Sequence, residues 1–480
     1  MKNTFINSDD IRHDFSVAMS AMYQKEVPLY GELIDLVNEV NTNVLNEQPE
    51  VRQQLEHTRE IERLNLERHG AIRLGTAAEL SMMRRLFAVM GMYPVGYYDL
   101  APAGVPVHST AFRAITPQSL NKSPFRVFTS LLRLDLIGDE ALKQEAAAAL
   151  DNRQIFTDTV ISLIERFETQ GGLTDDEAKQ FIQEALETFR WHEQTPVSKA
   201  LYDKLLAQHA LIADVVGFKG PHINHLTPRT LDIDAVQAGM QAKGIPPKAI
   251  IEGPPRRRCP ILLRQTSFRA LEEAVSFQNP KGGYDTGHHT ARFGEIEQRG
   301  VALTPKGRAL YDQLLNQARA QLGVTPSADN APTYYQILAR TFEAFPDDYQ
   351  ALHDEGLAYF YYQAAMDKSE ACEVQLDTNG DVSPHTMTDL IENGVVRLEP
   401  LVYEDFLPVS AAGIFQSNLK DSKQSRYEGH SNQHAFETAL GACVHDELEL
   451  YQSMQDQSLK SCLIQLNTLS RNASGQSKSA

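Results

Sequence analysis

The chain has one tryptophan and only four cysteines (Cys259, Cys372, Cys443 and Cys462) in 480 residues. The cysteines are far apart and form no CxxC pair, which excludes a zinc-knuckle spacing and argues against a disulfide framework in a chain of this size. Reduced thiols, and so a cytoplasmic protein, are the expectation. No run of about 18 apolar residues occurs, so no helix is expected to span a membrane. The opening MKNTFINSDDIRHDF lacks the apolar stretch of a secretory signal. Positive charge is also short: 45 Lys and Arg stand against 63 Asp and Glu, a formal net charge of −18. A surface that acidic repels phosphate backbones, so a nucleic-acid partner is not expected.

What is present is an ordinary globular composition, 42% hydrophobic and 22% charged, long enough for a core that needs no staples. The first 50 residues carry apolar positions at helical spacing (Phe15, Met19, Met22, then Leu33, Leu36, Val37, Val40), with Ser8-Asp9-Asp10 as a candidate cap. His69–Gly75 reads as a strand. Thr76-Ala-Ala-Glu79 is a capping box that opens a helix to about Met90, and Gly91 ends it. Strands are expected at Tyr93–Leu100, His108–Ile115 and Phe125–Leu134, completing the order β-α-β-β-β.

Helical periodicity then dominates (Glu140–Leu150, Thr157–Glu168, Asp175–Glu193, Pro196–Leu211). The first order is expected to repeat after it. Phe218–Leu226 reads as a strand, Asp232–Lys243 as a helix, and Ala249–Glu252, Pro260–Ser267 and Ala291–Leu303 as strands. Beyond, helices are expected at Lys306–Leu322, Thr333–Ala344, Asp348–Met366 and Gln433–Gln455, with a strand-rich stretch at Gly394–Tyr403. The predicted class is α+β, with two β-α-β-β-β modules and large helical insertions and extensions. The expected divisions are a helical extension (1–60), a first module (61–137), a helical insertion (138–213), a second module (214–305), a mixed helical region (306–470) and a disordered tail (471–480).

Three segments carry candidate chemistry. On a strand, His69, Ala71 and Arg73 share a face, because side chains alternate with period two. In GPHINH, His225 and Ile223 share one face, and His222 and Asn224 the other. In RFGEIEQRG, Phe293, Glu295 and Glu297 share a face. A histidine on each module's first strand and a carboxylate on the second module's last strand compose a two-His, one-carboxylate set. Such a set leaves metal positions open and favours Fe(II) chemistry with oxygen. Arg73 nearby would hold a substrate carboxylate in fork geometry. The plainer alternative has Glu295 and Glu297 on a solvated face and Arg73 paired at the surface with Glu67 or Glu79.

Four segments carry a resemblance: ERHGAIRLGT (67–76), FKGPHINHLTPR (218–229), RFGEIEQRG (292–300) and YEDFLPVSAAGIFQSN (403–418). Through them the chain resembles the 2-oxoadipate dioxygenase/decarboxylase (hydroxyglutarate synthase) family from about residue 10 to 465. The resemblance implies a fold similar to the vicinal-oxygen-chelate proteins and an iron(II) site on His69, His225 and Glu295, with Glu297 the competing carboxylate. It implies that Arg73 binds the substrate carboxylate and that Pro408-Val409-Ser410 lines the substrate pocket, within a region that completes that pocket. The implied reaction is 2-oxoadipate + O2 → D-2-hydroxyglutarate + CO2, a step in lysine degradation, with a small 2-oxo acid and O2 as partners. The rival readings are a zinc- or manganese-dependent lyase or hydrolase of the same fold and a non-catalytic small-molecule binding protein.

Overall fold

Asn7, one residue ahead of the expected Ser8-Asp9-Asp10 run, caps the first helix by accepting from the Asp9 amide at 2.8 Å. The computed structural model describes residues 5–365, 384–407 and 430–476. In its N-terminal region, α1 (Ser8–Glu26), α2 (Pro28–Glu47) and α3 (Pro49–His57) follow one another. Pro28 and Pro49 stand at helix starts, where the missing N–H would have had no helical partner.

The strands and first helix expected next are present as β1 (Arg68–Leu74), α4 (Ala77–Val89), β2 (Tyr93–Asp99), β3 (Val107–Arg113) and β4 (Phe125–Leu132), with a short α5 (Pro117–Lys122), not expected from sequence, between the last two. The capping box is present, with the Glu79 amide donating to Thr76 Oγ1 at 3.1 Å and Glu79 accepting from the Thr76 amide. Gly91, at φ +63°, closes the turn after α4. The strands pair in the order β2-β3-β4-β1, with β1 and β4 parallel.

The insertion holds α6 (Glu140–Asp151), α7 (Asp158–Gln170), α8 (Asp175–Phe189), a two-residue β5 (Gln194–Thr195), α9 (Lys199–Gln208) and α10 (Ala210–Gly217). Where one helix was expected over Pro196–Leu211 there are two. His209 is extended and caps α10 through its side chain, which accepts from the Leu211 amide.

The second unit departs further from expectation. The strand expected at Phe218–Leu226 is β6 (His225–Pro228) only. α10 extends to Gly217, and Pro221 has no N–H to give a ladder. After α11 (Ile233–Ala242), the expected strand Ala249–Glu252 is reduced to a single bridge, Glu252 with Gln265 of β7 (Leu263–Ser267). A hairpin not anticipated from sequence, β8 (Glu272–Gln278) and β9 (Tyr284–Thr290), precedes β10 (Glu295–Arg299). β6 adds antiparallel to β1, and β10 pairs with β7.

The C-terminal third contains α12 (Pro305–Leu322), α13 (Ala331–Thr341), α14 (Tyr349–Asp354), β11 (Phe360–Ala364), α15 (Pro384–Glu392) and β12 (Val396–Pro400). The helix expected over Asp348–Met366 stops at Asp354. Gly356 (φ +63°) turns the chain, and the aromatic run that follows pairs with β12. Two final helices, His430–Leu440 and Glu447–Gln476, are separated at Gly441 (φ +72°); the second reaches beyond residue 471, where a tail was expected. The result is a mixed α+β protein with several small sheets and many helices.

β1 is covered on both faces, which is why it carries almost no exposed surface. Ile72 and Leu74 pack with Phe15 and Met19 of α1, Phe87 of α4 and Phe181 of α8. Ala71, on the opposite face, packs in a second core with Leu211 and Val215 of α10. No helix among the described residues is long and apolar enough to cross a membrane.

Candidate metal centre

The register of β1 and β6 sets the site. Ala71 lies opposite His225, and His69 opposite Thr227. The loop before β6 is held close to β1: the Asn224 amide donates to Ala71 O at 3.0 Å. A Cβ at Gly70 would stand 2.5 Å from Ile223 Cδ1, so glycine there admits this loop. Tyr23 of α1 secures both arms. Its hydroxyl is within hydrogen-bond distance of Asn224 O (3.0 Å) and Phe293 O (2.8 Å), each close in sequence to a candidate ligand.

These constraints bring His69, His225 and Glu295 together, with one ligand atom of each within 4.8 Å of the others and all three buried. Glu295 Oε2 is 2.9 Å from His69 Nε2 and 3.4 Å from His225 Nε2, and accepts from Thr227 Oγ1 at 2.9 Å. Glu295 Oε1 and His225 Nδ1 are buried without a protein partner. Unsatisfied buried polar atoms in a native fold call for an explanation, and a bound ion is one that fits here. The donor set (two imidazoles and a carboxylate) fits a divalent metal with open positions.

Glu297 occupies a different place. Its Oε2 is 2.9 Å from His69 Nδ1, the far side of that ring. That contact is close but not aligned as a hydrogen bond. Arg299 holds Glu297 at 2.8 Å through both carboxylate oxygens, and Arg126 lies 3.3 Å away. Around them Glu60, Arg63, Glu67, Arg229 and Glu404 complete a buried network of alternating charge. Phe406 packs edge-on to His69 (ring centroids 4.9 Å apart) and Phe293 tilts against His225 (4.8 Å), shielding the rings from water.

The two imidazoles differ electrostatically. Burial opposes charge on His69, but Glu297 and Glu295 outweigh it and raise its pKa. Burial dominates at His225 and, helped by the charges of His69 and Arg73, pushes it down to about 4. Burial likewise opposes ionisation of Glu295, yet His225 and His69 hold its pKa below the usual carboxylate range.

Arg73 is buried and pairs with neither Glu67 nor Glu79. Its Nη1 lies 2.5 Å from Oδ2 of Asp214 on α10. Glu67 belongs to the charged network, and Glu79 binds Arg153 besides its capping role. The solvated-face alternative therefore fails for Arg73, Glu295 and Glu297 alike. Asp214 was not anticipated from sequence. Its signal is a lone carboxylate in the apolar run Ala-Leu-Ile-Ala-Asp-Val-Val, a burial pattern that demands a charged partner. His222 and His289 gather around Asp214, whereas His288 is exposed. Val409 and Ser410, with Pro408, lie outside the described residues.

Comparison with known proteins places this chain in a family. The family model for 2-oxoadipate dioxygenase/decarboxylase matches residues 15–418. The curated 2-oxoadipate dioxygenase/decarboxylase of Pseudomonas putida is 58% identical over 465 residues, covering 97% of this chain and 98% of that protein. The Escherichia coli protein of the same name is 55% identical over 457 residues, covering 95% and 98%. The crystal structure of the Pseudomonas putida hydroxyglutarate synthase in complex with 2-oxoadipate superposes with a TM-score of 0.88 at 55% identity, covering 97% of this chain and all of that one. Similarity of this extent, running the length of both partners, establishes that the chain belongs to the 2-oxoadipate dioxygenase/decarboxylase family, a family of enzymes.

Proposed function

We propose that this enzyme converts 2-oxoadipate and O2 into D-2-hydroxyglutarate and CO2, with Fe(II) held by His69, His225 and Glu295, as a cytoplasmic step of lysine degradation. The observation that carries the reading is the convergence of those three buried side chains from β1, β6 and β10. A buried cation, Arg73, stands four residues along β1 from the first of them. The names borne by full-length relatives supply the substrate.

A bound ferrous ion would supply open positions for the 2-oxo acid end and for O2, and the redox chemistry that protein side chains lack. The chain's own residues supply the rest. Glu295 offsets part of the metal's charge, with Thr227 fixing the carboxylate. Glu297 places a negative charge 2.9 Å from the far nitrogen of His69, on the side of the ring away from the metal position. Arg73 receives the distal carboxylate. With backbones about 13 Å apart at 3.3 Å per residue, His69 and Arg73 then hold opposite ends of one short diacid. Gripping both ends decides which carbon faces the site when CO2 has left, and so where the hydroxyl is placed. The substrate serves as electron donor and as hydroxylation target. Val409 and Ser410 complete the pocket in this reading.

We also read the second unit as a reduced copy of the first, packed around the same metal in the vicinal-oxygen-chelate manner. Support comes from neighbour order: a parallel bridge joins Arg229, just after β6, to Glu297 of β10, β10 pairs with β7, and β7 bridges to Glu252. This matches β1-β4-β3-β2 in the first module.

The test is an oxygen-electrode assay of anaerobically Fe(II)-loaded protein with 2-oxoadipate, with CO2 and 2-hydroxyglutarate quantified together. Equal molar O2 uptake, CO2 and 2-hydroxyglutarate is expected, and His69→Ala or His225→Ala should lose both iron and turnover. No O2 uptake with iron bound would refute the reaction and favour a zinc- or manganese-dependent lyase or hydrolase. Binding without turnover would point to a binding protein.

A further inference from the structure

A second polar cluster lies on the other side of Arg73. Asp214, buried in α10, has Oδ2 against Arg73 Nη1 at 2.5 Å and Oδ1 at 2.8 Å from His289 Nε2 on β9. His289 Nδ1 is in turn 2.7 Å from the Tyr202 hydroxyl of α9. The protonation that satisfies every member runs one way: Tyr202 O–H donates to Nδ1, Nε2–H donates to Asp214, and Arg73 donates from the opposite side. Trp191 and Phe218 pack on the imidazoles, Trp191 parallel to His289 and edge-on to His222, and exclude water.

His222 Nε2 lies 3.2 Å from Asp214 Oδ1, and one ligand atom each of Asp214, His222 and His289 falls within 4.8 Å of the others. By residue type this is another two-His, one-carboxylate set. Its electrostatics differ from those at Glu295. Burial opposes ionisation of Asp214, but Arg73, together with His222 and His289, outweighs it and holds the carboxylate ionised, so its charge is already matched. A divalent ion bound at Oδ1 would share its carboxylate with a guanidinium in a site of low dielectric, where like charges repel strongly. The arrangement suits a cradle for a side chain better than one for a metal.

We propose that Asp214 is a positioning residue that sets chain-length selectivity, holding the Arg73 guanidinium at one point so that only a diacid of matching length reaches both it and the metal centre. This rests on the reading of Arg73 as the partner of the distal carboxylate. Two features support it. The guanidinium has five N–H donors, so contact with Asp214 through Nη1 is compatible with a second carboxylate on the same fork. The cradle draws on α9, α10 and β9, elements separate from those carrying the metal ligands, so it fixes Arg73 independently of metal binding.

The test uses the Fe(II)-loaded full-length enzyme and three substrates: 2-oxoglutarate, 2-oxoadipate and 2-oxopimelate. For wild type, Asp214→Asn, Tyr202→Phe and Arg73→Lys, the measurements are KM, kcat, the anaerobic Kd by calorimetry and metal content per chain. Asp214→Asn keeps the side chain's shape and loses its charge. It should raise KM and Kd for 2-oxoadipate about tenfold, as expected when a charge-assisted contact is weakened. It should also flatten the preference among the three diacids and leave metal content unchanged. Tyr202→Phe should shift the same quantities in the same direction by less.

A wild-type Kd and preference in Asp214→Asn, alongside a raised KM in Arg73→Lys, would overturn the proposal and leave the role of Arg73 standing. An unchanged KM in Arg73→Lys would instead remove the reading beneath it. Two metals per chain in wild type, falling to one in Asp214→Asn, would make the cluster a metal site and also overturn the proposal. If Asp214→Asn fails to fold, Tyr202→Phe decides, and wild-type selectivity there overturns it.

Discussion

Metal affinity should fall with acidity through one proton, not two, over the mildly acidic range. A metal binds the neutral imidazole, so protons compete with it, and affinity is lost as pH falls below the pKa of each ligand in the metal-free protein. The two histidines differ in this respect. His69 is raised above its ordinary value, so it is largely protonated below about pH 6.5. His225 is pushed down to about 4 and stays neutral throughout that interval. Glu295 is held below the usual range and remains ionised. The apparent association constant should therefore drop tenfold per pH unit, or about 1.4 kcal/mol, giving about 30-fold between pH 6.5 and 5. Anaerobic competition titrations with Co(II) as a ferrous stand-in, at half-unit pH intervals, would measure the slope of log K against pH. A slope of one supports the assignment, steepening only as pH approaches 4. A slope of two from pH 6.5 downward would show that the surroundings do not keep His225 neutral, and a slope of zero would remove His69 from the ligand set.

Two further outcomes follow from the buried charges. Arg73→Lys retains the cation and loses the fork, so it should raise KM for 2-oxoadipate about tenfold or more with iron content unchanged; an unchanged KM would refute the substrate role. Arg126 is fully buried against Glu67, Glu297 and Glu404. Arg126→Met leaves those carboxylates undercompensated and should destabilise the fold by about 3–5 kcal/mol in denaturant unfolding, whereas a loss below about 1 kcal/mol would show that the remaining arginines suffice.

Local signals made the elements from β1 to β4 legible. The capping box at Thr76 and Glu79, the glycine at 91 and the strand through His69 are set by backbone sterics and hydrogen bonding within a few residues, and all recur in the structure. The second unit was less legible because long-range contacts settle it. Its first strand begins only where β1 offers a partner, at His225, and its expected second strand is a single bridge. The β8–β9 hairpin had a usable signal, Val275 and Phe277 alternating ahead of Asn-Pro-Lys-Gly-Gly, but the exposed outer face weakened the apolar pattern.

The same division holds at the site. Sequence determined the residue types, the shared face of His69 and Arg73, and, through resemblance, the identity of the family. Which of two glutamates meets the imidazoles was a tertiary matter. Glu295 and Glu297 share a strand face, but Glu295 stands beside both rings, whereas Glu297 lies behind His69 and is drawn into the arginine network. Only the folded chain brings Asp214, His289 and Tyr202 to Arg73, from helices and a strand far apart in sequence. Periodicity reports which side a residue faces; partners for a buried charge are chosen by packing, because low dielectric makes an unpaired ion costly wherever the chain happens to supply its counterpart.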